Sequence, residues 1–271
     1  MVYVLTPVLT KRLGMELSTP LGVSGVQDVQ PYVLQLLSYL NTVYTCLSEL
    51  WGQEILSEKP GSEVVSWIEA LLSWFSRHGR RFPWRETRDW YRVLVAEFML
   101  IRTRSEVVEK VYREFLERFP TPEHLCRADI RDVETFFKRL GLVQRSYRLH
   151  STVCHILQEY GGTMPCSFDE LSKLPGIGRY VAHVLLTRVC EEAVPFVDTN
   201  VLRVPRRFLG DENLDTESTE RWLLSTVPKH VLEQVNIALL DLAALVCKPR
   251  RALCTLCPLA NWCRTSASRS T

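Results

Sequence analysis

At 271 residues, 46% hydrophobic and 24% charged, the chain has enough apolar material for one or two globular cores. A formal charge of +2 excludes a strongly acidic protein and does not by itself announce a nucleic-acid partner. No apolar run approaches the roughly 18 residues of a membrane span, and the opening MVYVLTPVLTKRLG lacks the basic start and long apolar core of a secretory signal.

Residues 1–60 read as an N-terminal extension of unknown role. Within it a helix-compatible segment from Tyr32 to Leu56 carries Leu34, Leu37, Leu40, Tyr44, Leu47 and Leu50, and Lys59-Pro60-Gly61 marks a boundary. From Ser62 the pattern is helix after helix. SEVVSWIEALLSWFSRH places Val65, Ile68, Leu71, Leu72 and Phe75 on one stripe, and DWYRVLVAEFMLIRT and SEVVEKVYREFLERF repeat the period. Thr121-Pro122 reads as a cap with proline at the first helical position. Segments of strand-like alternation are few and short, so the fold class is all-α.

Glu97 sits between Val95-Ala96 and Phe98-Met99-Leu100. A carboxylate in such company is either on an exposed stripe or buried, and then paired, protonated or functional. The aromatic runs FPW and DWY near residues 82–91 suit core packing as well as base stacking. Arginines recur in groups at element ends: Arg77, Arg80 and Arg81; Arg102 and Arg104; Arg145 and Arg148; Arg203, Arg206 and Arg207; Arg250 and Arg251 with Lys248. Each group is a solvated face unless the fold gathers several into a phosphate-binding surface.

The stretch from Leu174 to Asn200 joins a glycine hairpin, a helix and an isolated carboxylate. Ser167 and Glu170 have capping-box spacing; LPGIG breaks the apolar pattern; Val181, Val184, Leu185 and Val189 then resume it at helical spacing. Gly176 and Gly178 let the backbone approach a ligand, and the N–H groups that open the following helix favour a phosphate. An ordinary turn between packed helices is the alternative. Asp198 follows the apolar AVPFV and precedes NVLRVPRRF, where an N-cap is the commonest role for aspartate. Pro205 is expected to end or kink the helix that Asp198 opens.

Cys247, Cys254, Cys257 and Cys263 form C-x6-C-x2-C-x5-C. Four thiols so close suit a tetrahedral zinc or a 4Fe-4S cluster. The other five cysteines, Cys46, Cys126, Cys154, Cys166 and Cys190, are scattered singly through helical segments, which weakens a disulfide reading.

Together these residues carry a family resemblance. From about Ser62 to Arg264 the chain resembles the helix-hairpin-helix DNA glycosylases of the endonuclease III and MutY superfamily. The landmarks are RRFPWR (80–85), AEFMLIRT (96–103), LPGIGRY (174–180), VDTNVLRV (197–204) and the four-cysteine loop, in that order. The resemblance implies a helical barrel domain (87–195) carrying the hairpin and an iron-sulfur cluster domain (61–86 and 196–271), with a DNA groove between them. It implies a 4Fe-4S cluster on Cys247, Cys254, Cys257 and Cys263. The implied partner is double-stranded DNA with a mismatched or damaged base, whose target nucleotide is flipped out before its glycosidic bond is cut. A monomer acting without a membrane, in the cytoplasm or otherwise intracellular with DNA, is the matching expectation.

Carried over by position, Asp198 is the family's catalytic aspartate, and Gly176, Ile177, Gly178 and Arg179 are the DNA anchor. Bifunctional relatives place a lysine where this chain has Tyr180. A phenol forms no Schiff base, which implies a monofunctional enzyme that uses water and leaves an abasic site. Glu97 and Tyr180 do not separate adenine from pyrimidine substrates. Ile101-Arg102-Thr103 in place of QQT, Asp198-Thr199-Asn200 in place of DGN, and the short stretch after Cys263 move the resemblance toward the MIG-type enzymes that remove thymine or uracil opposite guanine. Glu97 would then hydrogen-bond the edge of the flipped base with Tyr180 beside it. Arg102 would contact the estranged guanine, and Gln144 is the candidate wedge. The competing readings are an adenine glycosylase of the same fold and a non-catalytic helix-hairpin-helix DNA-binding protein.

Overall fold

The structure, a computed structural model, describes residues 66–267, so the 1–60 extension and its expected helix lie outside the described residues. Among the described residues the regular structure is helical, with no strand. In chain order the helices are α1 (Trp67–His78), α2 (Trp90–Leu100), α3 (Ser105–Arg118), α4 (Pro122–Arg127), α5 (Ile130–Lys138), α6 (Val143–Glu159), α7 (Phe168–Leu171), α8 (Arg179–Arg188), α9 (Thr199–Leu209), α10 (Thr216–Thr226), α11 (Leu232–Leu245) and α12 (Arg264–Ala267).

Local chemistry sets many of the starts. Ser66 and Glu69 close a capping box on α1, while Asp89, Thr121, Asp129, Asp198 and Asp215 each cap a helix through a side-chain oxygen. The capping box expected at Ser167 and Glu170 does not form: Ser167 precedes α7 but its side chain makes no cap bond. That helix is a single turn, anchored by burial of Leu171 and Leu174. On α1 the buried residues are Leu71 and Trp74, and the expected Ile68, Leu72 and Phe75 flank them half-buried. The seam is displaced because Trp67, Leu71 and Trp74 repeat at i, i+4, i+7 and meet the α10–α11 side, where Trp67 stacks on Trp222 at 5.3 Å.

Two apolar cores result. The first surrounds α2, which is buried at Tyr91 and from Val93 through Met99, and takes in Val108, Phe115, Phe137, Leu149, Ile156, Leu185 and the ring of Phe196. Phe82 and Trp84, stacked 4.7 Å apart, also pack there. The second joins α1, α9 and α11 through Leu71, Val201, Val204, Leu239 and Leu242. Leu240 is packed against both. Each fully buried large apolar side chain contributes roughly 1.5–3 kcal/mol. The burial of Tyr91, Val93, Leu94, Val95, Phe98 and Met99 on α2 therefore outweighs the desolvation of the one carboxylate it carries, Glu97, which is 8% exposed.

Two features differ from expectation. Helix α9 runs unbroken through the buried Pro205. Proline removes one backbone hydrogen bond, and packing of Val201 and Val204 against α11 together with the Asp198 cap holds the turns on either side. Four of the five scattered cysteines are paired, Cys126 with Cys154, tying α4 to α6, and Cys166 with Cys190, which brackets α7, the hairpin and α8; Cys46 lies outside the described residues. Among the described residues Cys247, Cys254, Cys257 and Cys263 remain free.

Candidate active site and DNA-facing groove

The carboxylate at position 198 is delivered by an extended strap. Thr187 Oγ1 donates to the carbonyl of Val194 at 2.5 Å, and His183 Nδ1 donates to that of Pro195 at 2.9 Å. Asn236, fully buried on α11, accepts from the N–H of Phe196 at 3.0 Å and donates to its carbonyl at 2.6 Å. Three consecutive residues are thereby fixed by side chains from α8 and α11. The strap ends at Asp198, whose Oδ1 accepts from the N–H groups of Asn200 and Val201 at 2.9 and 2.7 Å and whose Oδ2 accepts from Asn200 Nδ2 at 2.9 Å. Asp198 is thus an N-cap and a groove residue at once.

Glu97, Tyr180 and Asp198, from α2, α8 and the start of α9, line one groove of about 1000 Å³. A recess of about 60 Å³ opens from it, sharing Arg85, Glu97, Leu100, Tyr180 and Leu240, and is closed by Trp84, Val184, Arg188 and Phe196. Burial pushes the Glu97 carboxyl up to about 7; Arg188 and Arg85 pull it down, and Asp198 adds to the rise. The Tyr180 phenol lies well above its ordinary range, first through burial and then through the negative charges of Glu97 and Asp198. It is therefore a neutral hydroxyl, its ring set edge-on to Phe196 at 6.1 Å.

Arg85 is neutralised by the buried Asp241, which it grips in two bonds of 2.9 Å, while Arg80 adds a backbone and a side-chain bond to the same carboxylate. Arg188, 6% exposed, donates through Nη2 to the carbonyls of Arg85 and Thr87 at 2.9 and 3.0 Å. Sequence reasoning passed over Arg188 and Asn236, because their significance rests on contacts 40 residues away or more.

The hairpin borders the groove through Gly176 and Gly178. Gly176 has φ +82°, and a Cβ there would meet Phe98 at 3.0 Å and Arg148 at 3.1 Å. Gly178, the N-cap of α8, carries no side-chain cap bond, and a Cβ on it would meet nothing within 4 Å. Open space therefore borders the N–H groups of the first turn of α8. Ile177 is 5% exposed, with its N–H on the carbonyl of Leu174. Arg179 is engaged by Glu220 at 2.5 Å and faces Glu217 at 3.6 Å.

Along the same groove Arg102 adopts φ 57°, a left-handed conformation uncommon outside glycine and frequent at functional sites. Arg104, Arg145 and Arg148 stand on the same wall. The Arg145 guanidinium is depressed by burial and then by Arg148 and Arg102. The fold thus gathers two of the scattered arginine groups into one anion-seeking surface. Gln144 is exposed one residue into α6 and does not line the groove.

The four free cysteines face one small cavity with Arg207. Burial raises the Cys257 thiol to about 11, with Cys247, Cys263 and Cys254 adding to the rise. Arg207 donates to Cys247 Sγ at 3.3 Å and Arg203 to the Cys247 carbonyl at 2.9 Å. Among the described residues no group of three or more His, Cys, Asp or Glu is closed to metal-binding geometry. The donor set itself, four uncrosslinked thiols beside two guanidiniums, fits a thiolate-bound cluster.

Residues 95–229 match the family described as HhH-GPD superfamily base excision DNA repair protein. A thymine-DNA glycosylase of Aeropyrum pernix is 37% identical over 71% of this chain and 91% of its own. A thymine/uracil-DNA glycosylase of Pyrobaculum aerophilum is 32% identical over 74% and 91%. An adenine DNA glycosylase of Mycobacterium tuberculosis is 34% identical over 71% of this chain and 65% of its own. The solved structure of a thermostable thymine-DNA glycosylase superposes with a TM-score of 0.68 at 29% identity, covering 74% of this chain and 95% of that one. The chain belongs to the HhH-GPD superfamily of base excision DNA repair proteins.

Proposed function

We propose that this protein is a monofunctional DNA glycosylase that flips thymine or uracil out of G·T and G·U mismatches and hydrolyses its glycosidic bond, leaving an abasic site. The observation that carries the reading is a capped aspartate in a groove that it shares with Glu97 and Tyr180 and that no lysine lines. Asp198 stands beside Tyr180 and Glu97, and no lysine lines the recess or the groove. Lys173 is exposed before the hairpin.

The duplex lies along the arginine wall with a phosphate on the first-turn N–H groups of α8. Arg102 fills the gap left by the flipped nucleotide and contacts the estranged guanine. Asp198, held in place by its cap bonds, activates water and stabilises the positive charge that develops at the sugar C1′. Glu97 and Tyr180 hydrogen-bond the edge of the base. The barrel (87–195) and the cluster domain (61–86 and 196–271) supply opposite walls. Cys247, Cys254, Cys257 and Cys263 would hold a 4Fe-4S cluster, with Arg203 and Arg207 balancing its charge; such a group supplies iron–thiolate bonds that cross-link this loop. The protein works wherever the cell's DNA is.

Incubation with duplexes carrying G·T, G·U, A·8-oxoguanine or a matched pair, followed by alkaline cleavage of abasic sites, tests the reading. Scission at T and U opposite G supports it. Scission at A alone would assign the adenine substrate instead, and no scission on any duplex would make the chain a DNA-binding protein only.

A further inference from the structure

The recess holds one cation that the reaction described above does not use. Three charged groups face it: Glu97, Arg85 and Arg188. Arg85 is committed to two bonds of 2.9 Å with Asp241, a carboxylate it shares with Arg80. The carboxylate nearest Arg188 is Glu233, at 3.5 Å from Nη1, and Glu233 is more tightly engaged by Arg88 at 2.8 Å. Arg188 Nε is the one buried side-chain nitrogen or oxygen among the described residues without a hydrogen-bond partner, an unfavourable state for a buried donor. The side chain is nonetheless pinned by the carbonyls of Arg85 and Thr87. A rigid, under-paired guanidinium in the wall of a base pocket is a preorganised site for negative charge.

Resting on the glycosylase reading, we infer that Arg188 is a catalytic residue whose guanidinium donates to a carbonyl oxygen of the flipped pyrimidine and stabilises the base as it leaves as an anion. In this step the C1′–N1 bond breaks and its electron pair stays on the base, delocalised from N1 onto the carbonyl oxygens. A water oxygen bonds to C1′, its proton passes by way of Asp198 to solvent, and solvent later reprotonates the departed base. A purine that must be protonated before it leaves carries the opposite charge, which a fixed cation opposes. The residue is therefore a specificity element as well: it favours uracil and thymine over adenine.

The test is single-turnover excision by the full-length protein from duplexes with thymine, uracil or 5-fluorouracil opposite guanine, a series of rising leaving-group acidity. With Arg188 in place the rate should depend only weakly on that acidity. Arg188→Met should lose at least about ten-fold on thymine and uracil and much less on 5-fluorouracil, and Arg188→Lys should fall between. A purely structural role would lower all three rates equally, so an equal loss, or no loss, overturns the inference, as does a steep acidity dependence in the unaltered protein, which needs no variant to fold. Binding to a duplex with an abasic-site analogue, measured alongside, checks that each variant is assembled. Failure of the unaltered protein to release any pyrimidine overturns the glycosylase reading itself, an outcome distinct from an unselective Arg188 variant.

Discussion

Glu97 owes its character to its position on α2. The apolar neighbours that make this helix the centre of the first core also strip water from the carboxyl, and burial raises it from the ordinary 4.5 to about 7 against the pull of Arg188 and Arg85. The unfolded chain releases the proton near pH 4.5, and the folded chain holds it until about pH 7. Native stability attributable to this group is therefore present at low pH and is lost as pH rises between those values. Glu97→Gln removes the titration. Its thermal stability relative to the unaltered protein should grow from pH 4.5 to pH 7 and level off above, at about 3 kcal/mol. A difference that does not vary with pH in thermal melts would contradict the assigned burial.

At the scale of elements, the two hairpin glycines separate folding from binding. Gly176 needs a positive φ and sits against Phe98 and Arg148, so Gly176→Ala should cost about 1–2 kcal/mol in unfolding free energy. Gly178 has ordinary backbone angles and open space, so Gly178→Ala should melt close to the unaltered protein and bind duplex DNA more weakly, as read by fluorescence anisotropy. Equal melting losses in both would place the hairpin's glycine requirement in the fold alone. The Cys166–Cys190 bridge closes the hairpin unit from outside, and Cys126–Cys154 closes α4 to α6. Chain-entropy arguments assign about 2–4 kcal/mol to each. Reduction, or Cys166→Ser, should lower the melting temperature by several degrees in calorimetry. An unchanged melt under reducing conditions would remove the bridges from the stability account.

Across the whole molecule, what was legible in the sequence is what local chemistry writes. The helical period, the glycine hairpin, the Asp198 cap and the cysteine loop each fit within about twenty residues. The capping box at Ser167 was misread because spacing alone does not say whether a one-turn helix uses its cap. Pro205 does not end α9 because tertiary packing on α11 holds the helix on either side of a local breaker. The paired cysteines, the Asn236 clamp and the anchoring of Arg188 are not legible locally for a common reason: each is a relation between segments 24 residues or more apart. The cluster loop gives a further whole-molecule prediction. Protein purified without oxygen should contain about four irons and matching inorganic sulfide per chain, and Cys257→Ser should lose them with a lower melting temperature. Zinc in place of iron would contradict the proposed cofactor.

Whether Asp198 directs water, with no amine, to the sugar of a flipped base is decided by following one G·U duplex with borohydride present. The expected outcome is free uracil, a strand that stays intact until alkali is added, no trapped protein–DNA adduct, and loss of all release in Asp198→Asn with duplex binding retained. A borohydride-trapped adduct, or undiminished release by Asp198→Asn, would contradict it.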